Sequence, residues 1–189
     1  MALHNLLSAT HPDTLPASPV KGDLVSANST PAWARFAIGT AGQKLIVDPT
    51  NAIPKWVSSN YKSVAPTPNT SVTGTTGIML GFDLVITPVG SGNVEFLVFG
   101  NPYVSASSAG YCYMRYGTGT PPTKGSAVAG TVIGGFSYFQ NVTPAAMTIF
   151  SNAPSLVIGT AYWFDCELLA AGGTAYTSNA QWGARVLEV

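Results

Sequence analysis

The segment IMLGFDLVITPVGSGNVEFLVF, residues 78–99, carries the clearest structural pattern in the chain. Large apolar residues occupy every second position, with a turn-rich interruption at 88–93. A period of two is typical of β-strands that place one face in a core. The intervening positions include Leu97 and Phe99, so the second face is predicted to pack on another sheet or another subunit. The alternating residues are Ile78, Leu80, Phe82, Leu84, Ile86, Val94, Phe96 and Val98.

Further strands are predicted after this segment, separated by turns rich in Gly, Pro and Asn. They cover residues 110–117, 131–141, 147–151, 155–158, 160–169 and 176–189. About eight strands at this spacing predict an all-β fold, an antiparallel β-sandwich of jelly-roll type over 77–189. No long helix is predicted, although 162–171 fits a helix or a strand.

The region before the sandwich is predicted to contain an attachment segment. Residues 21–57, KGDLVSANSTPAWARFAIGTAGQKLIVDPTNAIPKWV, hold one short unit twice, each half ending in Pro-x-Trp at Trp33 and Trp56. Each half is too small to offset the entropy of its own ordering, so it must pack on something else. Residues 1–20 contain three prolines and are predicted to form an extended arm, with a frayed terminus as the alternative. The Ser-, Thr- and Pro-rich residues 58–76 are predicted to form a stiff linker.

These N-terminal motifs resemble a segment found in tail-fibre, collar and head-decoration proteins of tailed bacteriophages. The shared elements are Leu-Leu-Ser-x-Thr-His at 6–11, Gly-Asp-Leu at 22–24, Pro-x-Trp-x-Arg at 31–35 and Gly-x-x-Gly-Gln-x-Leu at 39–45. Residues 115–131 and 159–168 resemble the β-rich outer modules of such proteins. The resemblance implies a structural virion protein, a short homotrimeric projection whose residues 1–57 bind phage capsid or tail proteins. Capsid decoration and a short head or tail fibre both remain open.

The amino-acid composition favours some functions and argues against others. Only 8% of residues are charged, the formal net charge is zero and 46% of residues are hydrophobic. A surface with so little charge offers poor protection against association, which favours an obligate assembly. Because no cluster of Lys and Arg occurs, nucleic-acid binding is not expected. The sequence has neither a membrane span nor a signal peptide, so a product made in the host bacterial cytoplasm and incorporated into the virion is expected.

Two segments could suggest an enzyme. Asp165 and Glu167 lie two apart and would share a strand face, as an acid–base pair acting on a glycoside could. A cross-strand ion pair with Arg115, or a solvated strand face, explains the same residues, and we prefer these structural explanations. The loop GTGTPPTKGS at 117–126 has its lysine and glycine in the wrong order for a phosphate-binding loop, and Pro121 and Pro122 remove backbone donors. We therefore predict a surface loop and a protein without enzymatic activity.

The metal-ligating residue types are too few and too scattered to predict a site. The two histidines, His4 and His11, lie in the arm without a nearby cysteine, so neither a metal nor another cofactor is expected. We predict a role for His11 at a subunit contact. Cys112 and Cys166 lie on two predicted strands; buried free thiols are favoured, with a disulfide as the alternative.

Two groups of residues are predicted to make contacts. The first serves attachment or subunit contact and comprises His11, Leu24, Trp33, Arg35 and Trp56. The second supports an alternative function, a receptor- or glycan-binding module on a phage fibre that contacts a host surface glycan. It comprises Tyr103, Tyr111, Tyr113, Tyr138 and Tyr176. Aromatic residues on strands also occur in cores and interfaces, which is the competing interpretation.

Overall fold

The computed structural model of the chain describes residues 20–27, 33–48, 51–58, 60–64, 70–105, 108–177 and 182–189. The described residues form strands, turns and irregular segments, and no helix occurs among them. The chain divides into two compact units, Met1–Leu45 and Ile46–Val189.

The described part of the N-terminal unit contains a β-hairpin. Strands β1 (Leu24–Ala27) and β2 (Trp33–Phe36) pair antiparallel. The Asp23 carboxylate accepts hydrogen bonds from the backbone N–H of Val20 at 2.6 Å and of Ile38 at 2.9 Å, and from Arg35 Nε at 2.5 Å. These donors, Arg35 first, lower the pKa of Asp23 to about 2. One carboxylate thus ties the segments on either side of the hairpin together.

A second two-stranded sheet follows. It consists of β3 (Gln43–Val47) and β4 (Pro54–Ser58), and the division between the units falls within β3. In the connection, Asp48 N–H donates to the Ile53 carbonyl and Ala52 N–H to the Asp48 carbonyl, both at 2.7 Å. The twofold repeat in the sequence therefore corresponds to two successive two-stranded sheets.

The described residues of the larger unit form twelve further strands. They are β5 (Tyr61–Val64), β6 (Thr70–Thr73), β7 (Ile78–Met79), β8 (Leu84–Ile86), β9 (Val94–Gly100), β10 (Pro102–Val104), β11 (Ala109–Thr118), β12 (Thr131–Phe139), β13 (Met147–Ala153), β14 (Tyr162–Ala171), β15 (Thr174–Thr177) and β16 (Gly183–Glu188).

Eight of these strands form a jelly roll. The first sheet has the order β13-β9-β16-β5, and the second has the order β12-β11-β14, with β7 and β8 pairing at different positions along β14. In chain order, β5 pairs with β16, β8 with β14, β9 with β13 and β11 with β12, all antiparallel. The first of the eight strands therefore pairs with the last, and each later pair lies inside the preceding one. This is the arrangement of a long hairpin rolled into two sheets. The predicted all-β sandwich of jelly-roll type is confirmed.

A small third sheet, β10-β15-β6, completes this unit. The strands predicted at 110–117, 131–141, 147–151 and 160–169 are present, and 162–171 is strand rather than helix. The strand predicted at 155–158 is wrong: Ser155 has a φ of 59°, outside the extended region, and the Thr160 N–H donates to the Val157 carbonyl at 3.2 Å, as in a turn. The predicted strand 176–189 is two strands, β15 and β16.

The alternating residues of 78–99 fill the core between the sheets. Phe82, Phe96 and Phe164 are fully buried, as is Trp182, which the periodicity did not single out. Phe96 on the first sheet meets Phe164 on the second edge to face, with ring centroids 5.4 Å apart. Edge-to-face pairs of this kind stabilise beyond the area they bury. Residues 58–76, predicted to be a linker, contribute β5 and β6 to the sheets of this unit.

Candidate functional site

The outer face of the first sheet carries several large apolar side chains. Directly opposed residues share a face, and the register places Tyr61, Leu187 and Glu95 in one row, and Arg185, Leu97 and Phe150 in the next. Phe99 lies in the third row. Tyr61, Phe99 and Phe150 are 49%, 44% and 58% exposed. We call Tyr61, Leu97, Phe99, Phe150 and Leu187 the apolar face.

Opposite charges flank a shallow depression in the apolar face. Glu95 and Arg185 line this depression, of about 20 Å³, together with Leu97, Phe150 and Leu187. Neither charged side chain forms an ion pair with another residue that the structure describes. The face therefore combines exposed apolar area with one available charge of each sign.

A second surface lies on the outer face of β11 and β12. Tyr111, Tyr113, Phe136 and Tyr138 form a contiguous group, which we call the aromatic cluster. The ring centroid of Tyr111 lies 5.3 Å from that of Tyr138 and 5.6 Å from that of Phe136. Phe136 and Tyr138 are 55% and 49% exposed. The structure thus brings three of the five predicted glycan-contact tyrosines together and adds Phe136, which the prediction omitted.

The other two predicted tyrosines lie in the third sheet. Tyr103 on β10 and Tyr176 on β15 are directly opposed, and their rings stack with centroids 4.7 Å apart at 11°. They border a depression of about 130 Å³ with Thr70, Ser71 and Thr177. Because each ring already stacks on the other, only their outer surfaces are available to a ligand.

The residues predicted to serve attachment fall in several places. Leu24 lies in β1 and is 42% exposed, while Arg35 lies in β2 and holds Asp23. Trp56 lies in β4 and is half-buried. His11 and the side chain of Trp33 lie outside the described residues. Attachment and subunit contact through these residues therefore stay a prediction.

The Asp165 carboxylate supports a neighbouring loop. Its Oδ2 accepts from the N–H of Gly81 at 2.9 Å, and its Oδ1 from Phe82 at 3.2 Å and Cys166 at 2.8 Å. Burial raises the pKa of Asp165 to about 6, although the three backbone donors oppose the shift. Asp165 thus fixes the backbone at 81–82 against β14.

Glu167 and the loop at 117–126 are likewise engaged in structural contacts. Glu167 pairs with Arg115 at 2.6 Å, so the ion pair, one of the two structural explanations offered by the sequence, is present. In the loop, the Gly125 N–H donates to the Met79 carbonyl at 2.9 Å and the Ser126 N–H to the Thr123 carbonyl at 3.0 Å. Since phosphate loops need free backbone donors, this geometry suits a packed surface loop.

The cysteines are both buried free thiols on the inner side of the second sheet. A hydrogen bond with the Cys112 thiol, together with burial, raises the pKa of Cys166 well above its usual range. Within the described ranges, no group of three potential metal-ligating side chains comes together. Nor does any helix there have the length and apolarity needed to span a membrane.

A polar groove that the sequence did not predict lies beside the aromatic cluster. It has a volume of about 530 Å³ and lies between the end of β12 and the start of β13. Ser137, Tyr138, Gln140, Asn141 and Thr148 supply its polar side chains, and its walls are completed by Pro102, Phe139, Ala145, Ala146 and Met147. Nine of these ten residues belong to the single segment 137–148, where the chain passes from the second sheet to the first, and their types alone did not indicate a groove.

No protein-family model and no curated protein matches the chain. Solved structures do. The crystal structure of the infectious bursal disease virus VP2 subviral particle is 13% identical, with a TM-score of 0.46 over 92% of this chain and 40% of that chain. A structure of the Gt strain of that virus is 13% identical, with a TM-score of 0.44 over 99% of this chain and 48% of that chain. The structure of Eiger TNF from S. frugiperda is 7% identical, with a TM-score of 0.35 over 69% of this chain and 91% of that chain. The chain spans less than half the length of the two viral chains.

Proposed function

We propose that the chain is a non-enzymatic structural protein of a tailed-phage virion, a short homotrimeric projection. The apolar face is the observation that carries this proposal. Three large side chains on it are each more than two-fifths exposed, on a chain with a net charge of zero. Exposed apolar area of this kind is typical of protein–protein contact sites. The partner that it fits is a second copy of the chain, because Glu95 and Arg185 supply one charge of each sign.

The phage assignment rests on the resemblance of the N-terminal motifs. In this proposal residues 1–57 bind the capsid or tail, and the jelly roll faces outward. Three attachment segments held by one trimer bind the particle far more tightly than a single segment, because the later contacts are intramolecular. Capsid decoration and a short fibre use the same arrangement.

Light scattering on the intact protein tests the assembly. A trimer has a mass of about 58 kDa, three times the 19.5 kDa of one chain. We expect Phe150→Asp to lower this mass toward that of one chain, because it places a charge within the apolar face. Val157→Asp is the matched control, since Val157 is 63% exposed and lies outside the strands that form that face. A wild-type monomer, or an equal effect of both variants, would refute this interface.

Incorporation into virions tests the attachment. Leu24→Asp in the full chain is expected to reduce the amount of protein in purified particles, while Lys44→Asp in the same unit serves as a control for the added negative charge. Unchanged incorporation of Leu24→Asp alongside wild type would contradict the role of this hairpin.

A further inference from the structure

The groove beside the aromatic cluster has the composition of a ligand site rather than of a packing gap. Its volume of about 530 Å³ lies within the 300–1,000 Å³ that small-ligand sites span. The side chains of Gln140, Asn141 and Thr148 are exposed in it. Their amide and hydroxyl groups have no hydrogen-bond partner among the described residues, so they are available to a ligand.

Tyr138 connects the groove with the aromatic cluster. It lines the groove, and its ring lies 5.3 Å from that of Tyr111. The neighbouring rings restrict how Tyr138 can move, because Tyr111 in turn contacts Tyr113 and Phe136. A held, half-exposed aromatic ring next to polar groups can pack on an apolar surface while the polar groups bind to donors and acceptors around it.

The chemistry of the lining selects the class of ligand. None of the described residues that line the groove has a charged side chain, so a phosphate, carboxylate or ammonium group would find no counter-charge among them. An open groove with amide and hydroxyl groups also disfavours a purely apolar ligand, because those groups would lose water without a replacement. Neutral sugars present C–H faces to an aromatic ring and hydroxyl groups to amides and hydroxyls, and so fit both parts of the surface.

We propose that this groove binds a neutral oligosaccharide, with one sugar ring packed on Tyr138 and its hydroxyl groups hydrogen-bonded to Gln140 and Asn141. This goes beyond the structural role proposed above and does not depend on it. The site uses the aromatic cluster and leaves the stacked pair Tyr103 and Tyr176 outside. Each copy carries one site, so an assembly would bind a repeating polysaccharide with several sites at once.

The test uses the intact protein on an array of neutral and charged oligosaccharides, followed by titration calorimetry with the best neutral trisaccharide. We expect binding of a neutral oligosaccharide that weakens about tenfold, or by about 1.4 kcal/mol, in Tyr138→Ala, because this variant removes the ring on which the sugar packs. Asn141→Ala is expected to weaken it as well, and this residue is exposed, so the fold should be unaffected. Tyr138→Phe should retain most of the affinity because the ring remains.

Tyr176→Ala is the matched control, because it removes a tyrosine from the third sheet and leaves the groove intact. Three results would overturn the proposal. The first is that no neutral oligosaccharide binds, and the second is that only charged oligosaccharides bind. The third is that Tyr176→Ala abolishes binding while Tyr138→Ala and Asn141→Ala do not. The mass of the assembly decides the structural proposal separately, so the two can fail independently.

Discussion

Arg115 on β11 donates a hydrogen bond from Nε to Oε2 of Glu167 on β14 across 2.6 Å. The side chains of Arg115 and Glu167 are only 16% and 7% exposed, and Arg115 also donates to the Gly130 carbonyl at 2.9 Å. The contact joins two neighbouring strands of the second sheet and the segment that follows the loop at 117–126. Glu167 and Asp165 are thus each committed to contacts that hold the fold.

Glu167→Ala is predicted to destabilise the protein by about 3 kcal/mol, because removal of one partner leaves the other charge buried without compensation. The double variant Arg115→Met with Glu167→Leu should cost clearly less, since it removes both charges together. Urea denaturation of the single and double variants measures the difference. A double variant as unstable as the sum of the single variants Arg115→Met and Glu167→Leu would show that the pair has no mutual stabilisation.

The raised pKa of Asp165 predicts that the stability of the protein falls as pH rises. Its pKa is about 6 in the folded protein, against 3.8 for an ordinary aspartate, so the folded state retains a proton that the unfolded state releases between these values. Stability from this group is therefore full below about pH 4 and is lost as pH rises through 6, by about 3 kcal/mol in total. Asp165→Asn should remove this slope. Denaturation midpoints of wild type and Asp165→Asn, measured from pH 4 to pH 7, test this prediction. If the midpoints of the two proteins changed equally with pH, the assignment to Asp165 would be wrong.

The sequence predicted the parts of the fold that a strict period of two determines. Val94, Phe96 and Val98 are fully buried on β9, while Leu97 and Phe99 lie on the outer face. The role of Asp165 could not be read in the same way, because its partners Gly81 and Phe82 lie more than 80 residues away in the chain. Only the folded arrangement of that loop over β14 makes the carboxylate a structural acceptor.

The aromatic cluster could likewise be predicted only in part from the sequence. Tyr111 and Tyr113 share a face by their spacing, which the sequence shows. Their contact with Phe136 and Tyr138 depends on the register between β11 and β12, which includes an irregularity between Tyr113 and Arg115. A shift of one residue would place Phe136 on the opposite face. The aromatic cluster therefore needed the structure, whereas the apolar second face of β9 did not.

Glu188 is predicted to make stability depend on pH in the opposite direction from Asp165. Its carboxylate accepts backbone hydrogen bonds from Val89, Gly90, Ser91 and Gly92, at 2.7–3.2 Å. Burial opposes ionisation, but these four donors together lower its pKa. The stability that it contributes is thus present above the ordinary glutamate pKa and is lost as pH falls through the lowered value.

Glu188→Gln is expected to destabilise the protein by about 2 kcal/mol at pH 7, because one amide nitrogen then faces a backbone donor and the charge is lost. The difference from wild type should shrink at pH values below the pKa of Glu188 in the folded protein. Asp83→Asn, which neutralises an exposed carboxylate elsewhere in the larger unit, is the control and should alter stability little. An equal loss in both variants would contradict the role of the four donors.

Arg185 and Glu95 predict how copies of the chain meet. Both lie on the apolar face, and neither pairs with a charge among the described residues of its own chain. If the face joins two copies, Arg185 of one copy can pair with Glu95 of the next. Arg185→Glu and Glu95→Arg are each expected to weaken assembly by about 2 kcal/mol, or about 30-fold, because each creates a like-charge contact.

Mixing the two single variants provides the decisive comparison. Copies carrying Arg185→Glu have two acidic groups on the face, and copies carrying Glu95→Arg have two basic groups, so opposite charges meet only between unlike copies. We expect the mixture to assemble more tightly than either variant alone in sedimentation velocity experiments. Lys44→Glu, a charge reversal in the N-terminal unit, should leave assembly unchanged. If the mixture assembles no better than the separate variants, the two residues do not pair between copies and the apolar face is not the subunit contact.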